Sequence, residues 1–168
     1  AATPPPRPPL PALQTAGAAS GTAGQVFAIA SSTGGPQVLA QILPQLPADL
    51  PCPVLIAQHI SEGFATGMAE WLSGLSRLPV RLAQHGEPVC SGSVYLAPPE
   101  YHCTVNNARQ IALVERAEQD IYRPSCDRLL ESVATVYRAD AVGIILTGMG
   151  RDGAHGIARI HNNGGITL

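Results

Sequence analysis

The chain has 168 residues with a formal net charge of -2; 45% of them are hydrophobic and 13% are charged, which suits one domain with a single core. Its ten basic residues are all arginine and lie scattered along the chain, so no basic cluster indicates nucleic-acid binding. The longest apolar runs are strand-sized, well short of the roughly 20 residues of a membrane-spanning helix, and no basic segment followed by a long apolar one marks a signal peptide.

The first residues have the composition of a linker. Residues 4–11 contain six prolines, and residues 15–24 are all small. The first stretch is typical of a stiff extended chain and the second of a flexible one. We therefore expect residues 1–24 to be a Pro/Ala/Gly-rich linker that joins residues 25–168, the folded domain, to a preceding part.

From residue 25 onward, strand-like apolar runs alternate with helix-like segments. The pattern predicts strands over residues 25–30, 53–58, 80–84 and 141–148, with a last strand starting at 166, and helices over residues 36–43, 63–75, 125–138 and 154–162. Three further runs look like strands around tight turns: 93–98, 102–107 and 110–114. This order favours an α/β fold: a doubly wound, mostly parallel sheet with helices on both faces and a small antiparallel patch.

Two of the predicted helices group their apolar residues on one face. The face of the second helix carries Phe64, Met68, Trp71, Leu72 and Leu75. The inner face of the third carries Leu129, Leu130, Val133 and Val136.

Cysteine usage points to a reducing compartment. The four cysteines are widely spaced and include no C-x-x-C pair: Cys52, Cys90, Cys103 and Cys126. This spacing does not indicate a zinc site, and isolated thiols do not suggest a disulfide framework. We expect a cytoplasmic protein.

The first predicted strand ends in the run S-S-T-G-G, where a strand passes directly into a helix. Such a turn can expose a side chain as a nucleophile, provided that the residues two before and two after it are small. Ala30 and Gly34 meet this condition for Ser32, whereas Ile29 is too bulky for Ser31 to meet it. The alternatives are a serine helix cap with a glycine turn, or a phosphate-binding loop.

Two histidines follow predicted strands. His59 comes directly after the second strand, so it is expected at the same sheet edge as Ser32, where it could act as a general base. The alternative is a histidine that only binds a loop carbonyl. His102 follows a turn in the antiparallel patch and is a weaker candidate for the base.

The run T-G-M-G-R-D-G, residues 147–153, comes directly after residues 141–146, the apolar part of the strand predicted there. Its glycines allow a tight main-chain path. Asp152 could orient the imidazole of His59, or it could simply cap the helix that follows. A hydroxyl, an imidazole and a carboxylate thus stand at three strand ends that the fold brings together, in the order Ser, His, Asp.

These blocks together resemble the catalytic domain of the chemotaxis protein-glutamate methylesterases, the CheB family. The resemblance rests on SSTGGPQVL, LIAQHISEGFATGMAEWL, VYLAPPEYH, YRPSCDRLLESVA and GIILTGMGRDGAHGI, and it covers nearly all of residues 26–168. It implies that Ser32 is the nucleophile, His59 the base and Asp152 the third member. It also implies an oxyanion site at the Thr33 and Met149 backbone, with His102 nearby.

The resemblance further implies hydrolysis of glutamyl methyl esters on chemoreceptor signalling helices, with glutamine deamidation in many members. It implies no metal or cofactor, and a phosphorylatable receiver domain before the linker. Because the ester would be carried on a helix, we expect an open groove rather than a deep pocket.

Two departures from the family pattern stand out. The family commonly has G-A-S-T-G-G where this chain has A-S-S-T-G-G, and it continues beyond the G-G-I-T-L with which this chain stops. Two alternative functions stay open. One is a phosphate- or nucleotide-binding domain, which the lack of a lysine after either glycine-rich loop disfavours. The other is an inactive relative that serves as an interaction module.

Overall fold

The computed structural model describes residues 24–168, so the predicted linker lies outside the described residues, apart from Gly24. The strands are β1 (Val26–Ser31), β2 (Val54–Gln58), β3 (Val80–Leu82), β4 (Val94–Leu96), β5 (Tyr101–Val105), β6 (Ile111–Glu115), β7 (Ala141–Ile145) and β8 (Ile166–Thr167). The helices are α1 (Gly35–Ile42), α2 (Ala65–Leu75), α3 (Cys126–Tyr137) and α4 (Ala154–Asn162).

Six strands form one parallel sheet in the order β3-β4-β2-β1-β7-β8. Its two faces carry separate apolar cores. One core includes Leu129, Leu130 and Val133 of α3 with Ile160 of α4, whereas the other includes residues of α1 and α2 such as Leu39 and Leu72. The predicted fold class, a doubly wound and mostly parallel sheet with helices on both faces, is therefore confirmed.

The antiparallel patch is smaller than predicted. β5 and β6 form it alone, whereas β4 lies inside the parallel sheet between β2 and β3. The assignment of residues 93–98 to the patch was wrong because a short connection suggested a hairpin. All three residues of β4 are buried, which is typical of an inner strand of a parallel sheet.

The apolar face predicted for α2 is only partly the buried one. The buried residues are Ala65, Met68, Ala69 and Leu72, whereas Phe64, Trp71 and Leu75 are 68%, 47% and 44% exposed. The prediction followed the large apolar side chains, whereas the buried face also includes the small Ala65 and Ala69. In α3, Leu129, Leu130 and Val133 are buried as expected, and Val136 is partly buried.

The chain reverses its direction of winding between β1 and β7. From β1 it moves through β2 toward one edge of the sheet, and it later returns to add β7 and β8 on the other side of β1. In open α/β sheets, a crevice forms outside the carboxyl ends of the strands at such a reversal. Within residues 24–168, no helix is both long enough and apolar enough to cross a bilayer.

Candidate active site

Ser32 stands one residue beyond β1, at the sheet reversal. Its backbone N–H donates to the Thr147 carbonyl at 2.8 Å, and its own carbonyl accepts from the Gly35 N–H at 2.9 Å. Gly34 has a φ of 78°, which favours glycine. A Cβ on Gly35 would lie 2.0 Å from Ser31 Oγ. The glycines therefore permit the sharp turn between strand and helix.

The imidazole of His59 lies between Ser32 and Asp152. Its Nδ1 is 3.0 Å from Ser32 Oγ, and its Nε2 is 2.7 Å from Asp152 Oδ2. An ionised carboxylate can only accept, so the proton of the neutral ring sits on Nε2 and Nδ1 is left to accept from the serine hydroxyl. The three side chains that the sequence singled out are thus joined in one hydrogen-bonded row.

Asp152 does not cap the helix that follows it. α4 begins after Gly153, where no side chain caps the terminus. The Asp152 carboxylate instead accepts bonds at the N-terminus of α3, from the Cys126 N–H at 2.6 Å, the Asp127 N–H at 2.9 Å and Ser125 Oγ at 3.0 Å. The capping alternative is therefore wrong for this residue.

These contacts determine the charge state of Asp152. Burial alone raises the pKa of this carboxyl, but hydrogen bonds from His59, the Asp127 and Cys126 amides and the Ser125 hydroxyl outweigh it. The pKa of Asp152 therefore lies below its ordinary value, and the group is ionised at neutral pH. The partial positive charge at the start of α3 favours the same state.

The loop after β7 lies directly against Ser32. A Cβ on Gly148 would be 2.5 Å from Ser32 Cβ, so only glycine allows this approach. The backbone amides of Thr33 and Met149 donate to no other group among residues 24–168. Both therefore remain available to an oxygen bound at Ser32. A cavity of about 60 Å³ opens here and is lined by Ser32, His59, Met149 and Asp152, among others.

Gln58 supports the site from beneath, a role that sequence reasoning missed. Its Nε2 donates to the carbonyls of both Ser32 and His59, each at 2.9 Å. The side chain is 2% exposed. The sequence did contain a signal for this role. Gln58 is a polar residue at the end of an otherwise apolar strand, and it directly precedes His59.

A wider groove begins at His59. Tyr122 stacks on the imidazole, with ring centroids 5.2 Å apart and an angle of 15° between the planes. The groove has a volume of about 570 Å³ and runs between the segments 59–62 and 121–123. Ile121, on its far wall, is 85% exposed. An extended ligand can therefore reach the imidazole from the solvent side.

His102 does not line the cavity at Ser32. It is 1% exposed, and its Nε2 is 2.8 Å from Asp120 Oδ2. Its Nδ1 accepts from the Ser125 N–H at 3.0 Å, and Ser125 Oγ in turn donates to Asp152. His102 thus binds the start of α3, which in turn binds Asp152.

Cys126 places a thiol beside the imidazole. Its Sγ is 3.5 Å from His59 Nε2 and 3.5 Å from the Ala57 carbonyl. Burial, with the nearby negative charge of Asp152, raises the pKa of this thiol to about 12. The thiol is protonated at neutral pH and takes no part in the Ser32–His59–Asp152 row.

Comparison with known proteins gives a family match over nearly the whole described part of the chain. A family model described as CheB methylesterase matches residues 27–168. A protein-glutamate methylesterase/protein-glutamine glutaminase of Paramagnetospirillum magneticum is 54% identical over 145 residues, which are 86% of this chain and 41% of that protein. One of Pseudomonas aeruginosa is 45% identical over 150 residues, 89% of this chain and 45% of that protein.

The fold also matches a solved structure. The crystal structure of the Thermotoga maritima CheB methylesterase catalytic domain superposes with a TM-score of 0.81 at 36% identity, covering 86% of this chain and 78% of that one. The chain therefore spans less than half the length of the two curated relatives described above, but most of that catalytic domain.

Proposed function

We infer the activity of this chain from its family, since it belongs to the CheB methylesterases. We propose that it hydrolyses the methyl esters of glutamyl side chains on chemoreceptor signalling helices and releases methanol. The observation that carries the proposal is the row of Ser32, His59 and Asp152, with contacts of 3.0 and 2.7 Å. Such a row activates a serine hydroxyl toward an ester carbonyl.

The proposed reaction has two halves. His59 Nδ1 takes the Ser32 hydroxyl proton as Oγ attacks the ester carbonyl carbon. The resulting tetrahedral intermediate collapses, and the same proton leaves with methanol. Water then attacks the acyl-serine and gives a proton to Nδ1. Collapse of the second intermediate frees the glutamate side chain and returns the proton to Ser32 Oγ.

Asp152 supports both proton transfers without becoming protonated. Its carboxylate holds His59 Nε2–H at 2.7 Å and thereby keeps Nδ1 directed at the serine. It also stabilises the imidazolium that forms when Nδ1 takes the proton. Because three donors at the start of α3 hold this carboxylate, its position does not depend on His59.

The negative charge of the tetrahedral intermediate needs fixed donors. The amides of Thr33 and Met149 supply them in this proposal, since no other group among residues 24–168 accepts from them. Each such donor contributes on the order of 3 kcal/mol to the stability of a transition state of this kind. Gln58 positions the Ser32 carbonyl and so supports the amide that follows it.

The groove beside His59 suits a substrate that presents its ester on a helix. A helix with side chains is about 10–12 Å across and cannot enter a narrow pocket. The groove of about 570 Å³ is open along segments 59–62 and 121–123, and the cavity at Ser32 holds about 60 Å³. We propose that the receptor helix lies in the groove while only the methylated side chain enters the cavity.

Deamidation of receptor glutamine fits the same row of groups. The carbonyl carbon of the primary amide would be attacked by Ser32, and ammonia would leave with the proton from His59 in place of methanol. The curated relatives are named for both activities.

We also propose that residues 25–168 are the catalytic domain, that a linker and a receiver domain precede it, and that the protein acts in the cytoplasm.

The site geometry disfavours the phosphate-binding alternative. An anion loop needs several free amides pointing at one ligand. The amides of Thr33 and Met149 are free within residues 24–168, but the ionised Asp152 carboxylate lines the same cavity and would repel a phosphate. An inactive relative would not need the Ser32–His59 contact of 3.0 Å.

The decisive experiment compares two neighbouring serines. Ser32→Ala should lower the rate of methanol release from a methylated receptor fragment by at least about 10⁴-fold, because the attacking oxygen is lost. Ser31→Ala is the matched control. Ser31 Oγ is buried and has no hydrogen-bond partner among residues 24–168, so its removal should change the rate by less than about tenfold.

A fluorophosphonate probe gives a second readout, because it reacts with activated serines. Mass analysis should find the adduct on Ser32 in the unmodified chain and in Ser31→Ala. Methanol release by Ser32→Ala at the unmodified rate, or an adduct on Ser31, would overturn the assignment.

A further inference from the structure

One thiol beside the row of groups has no role in the proposed reaction. Cys126 Sγ lies 3.5 Å from His59 Nε2, although the two residues are 67 positions apart in the chain. Asp152 Oδ2 contacts the same nitrogen at 2.7 Å. One ligand atom from each of these residues falls within 4.8 Å of the other two. All three line the cavity of about 60 Å³ at Ser32.

These donors match the preferences of a borderline-soft divalent cation. Zinc binds thiolate sulfur at about 2.3 Å and imidazole nitrogen or carboxylate oxygen at about 2.0–2.2 Å. In a tetrahedral site, those lengths place sulfur and nitrogen about 3.5 Å apart, and nitrogen and oxygen about 3.3–3.5 Å apart. The observed distance from Cys126 Sγ to His59 Nε2 is already 3.5 Å.

The remaining adjustment is small. His59 Nε2 and Asp152 Oδ2 stand 2.7 Å apart and would need to open by about 0.6 Å to admit the ion. The His59 side chain is 18% exposed and can move, whereas Asp152 is 2% exposed and is held by α3. The imidazole would therefore make the adjustment.

We propose that His59 Nε2, Cys126 Sγ and the Asp152 carboxylate bind one soft divalent cation such as Zn²⁺, and that this ion switches the site off. The fourth position of the ion faces the cavity, where water can bind. A carboxylate and water alone would suit Mg²⁺ or Ca²⁺, but the thiolate and the imidazole select zinc-like ions.

Metal binding would change the protonation of two groups. The Cys126 thiol loses its proton to solvent as the ion binds. The imidazole proton moves from Nε2, which now holds the ion, to Nδ1, which then donates to Ser32 Oγ. Because Nδ1 can no longer accept the serine proton, the nucleophile is not activated. Binding itself does not depend on the proposed esterase activity; only the inhibition does.

Cobalt titration tests the binding directly. Co²⁺ added to the chain should produce the near-ultraviolet absorption of a cobalt–thiolate bond, and Zn²⁺ should remove it by competition. Cys126→Ala should lose this absorption, and His59→Gln should weaken binding at least about tenfold. Cys90→Ser is the matched control, since Cys90 is the exposed thiol. It should keep the absorption, as should Ser32→Ala, which retains all three ligands.

Inhibition is measured separately as the Zn²⁺ concentration that halves ester hydrolysis, relative to the metal-free rate of each variant. Cys126→Ala should need at least about ten times more Zn²⁺ than Cys90→Ser. Cobalt absorption that survives Cys126→Ala but disappears in Cys90→Ser would overturn the site. Equal Zn²⁺ sensitivity of the two variants would overturn the switch. Binding without any ester hydrolysis would count against the proposed function and leave the metal site standing.

Discussion

Residues 24–168 contain two imidazole–carboxylate pairs, and only one of them contacts a serine hydroxyl. His59 and Asp152 are 2.7 Å apart, and His102 and Asp120 are 2.8 Å apart. In both pairs Nε2 faces the carboxylate, so both neutral rings carry their proton on the same nitrogen. What separates the pairs is the partner of the other ring nitrogen.

At His59 that partner is the Ser32 hydroxyl, which can give up its proton. At His102 it is the Ser125 backbone N–H, which cannot. Exposure follows the same division, at 18% for the His59 side chain and 1% for His102. In the proposed mechanism, His59 can act as a base and His102 cannot, because only the second nitrogen of His59 contacts a hydroxyl that opens to the cavity.

The largest difference between the two pairs should appear in kcat when each carboxylate is neutralised in turn. Asp152→Asn should lower kcat by about 10⁴-fold, because the asparagine amide donates to His59 Nε2 and forces the proton onto Nδ1. Asp120→Asn should lower kcat by less than about tenfold, since no nitrogen of His102 reaches substrate. Methanol release under saturating substrate gives both values. Equal losses in the two variants would show that the pairs act as one unit.

A smaller difference should appear in the free energy of unfolding when each histidine is replaced by leucine. His102→Leu should lower the free energy of unfolding by about 1–3 kcal/mol, because it leaves the Ser125 N–H without its buried acceptor. His59→Leu should change the free energy by less than about 1 kcal/mol, since Asp152 keeps three other donors. Urea unfolding followed by circular dichroism measures both. A more destabilising His59→Leu would contradict the division of roles.

The smallest expected effect is a change in the free energy of unfolding at acidic pH. Folding lowers the pKa of Asp152, so its ionised form stabilises the fold fully above the unfolded-state value of 3.8, and that contribution is lost as pH falls through the lower folded-state value. The gap in unfolding free energy between the unmodified chain and Asp152→Asn should therefore be constant above about pH 5 and shrink below pH 4.

Asp120→Asn is the matched control for the acid experiment. The hydrogen bond from His102 holds the pKa of Asp120 below its ordinary value as well. Its side chain is 23% exposed, compared with 2% for Asp152. Its pH-dependent gap should therefore run in the same direction and be smaller, and a larger gap than that of Asp152→Asn would contradict the ranking.

Local patterns in the sequence predicted much of the fold. Helix α4 covers residues 154–162 as predicted, and β1, β2 and α3 differ from their predictions by at most one residue at each end. The larger errors are at β4, at the buried face of α2 and at the end of β7, which stops at Ile145 rather than at the predicted residue 148. Strand β4 joins the parallel sheet because β2 and β3 leave a place between them. Helix α2 buries Ala65 and Ala69 together with Met68 and Leu72.

The sequence by itself also selected Ser32 over Ser31, since the size of the residues flanking a turn is a local property. It placed His59 and Asp152 at strand ends, which a parallel sheet brings to one edge. Only the tertiary structure decided what these side chains contact. Asp152 binds the start of α3, 26 residues earlier in the chain, rather than its own helix.

The same limit applies to His102 and Cys126. The sequence shows that a histidine and a cysteine stand at these positions, but it does not show what they contact. Packing between distant segments brings His102 to the Ser125 amide and Cys126 to His59. Cysteine spacing could not indicate the proposed metal site, since its three candidate ligands come from three separate parts of the fold. Proton transfer and metal binding depend on distances of about 3 Å, and such distances are set by the packing of the whole domain.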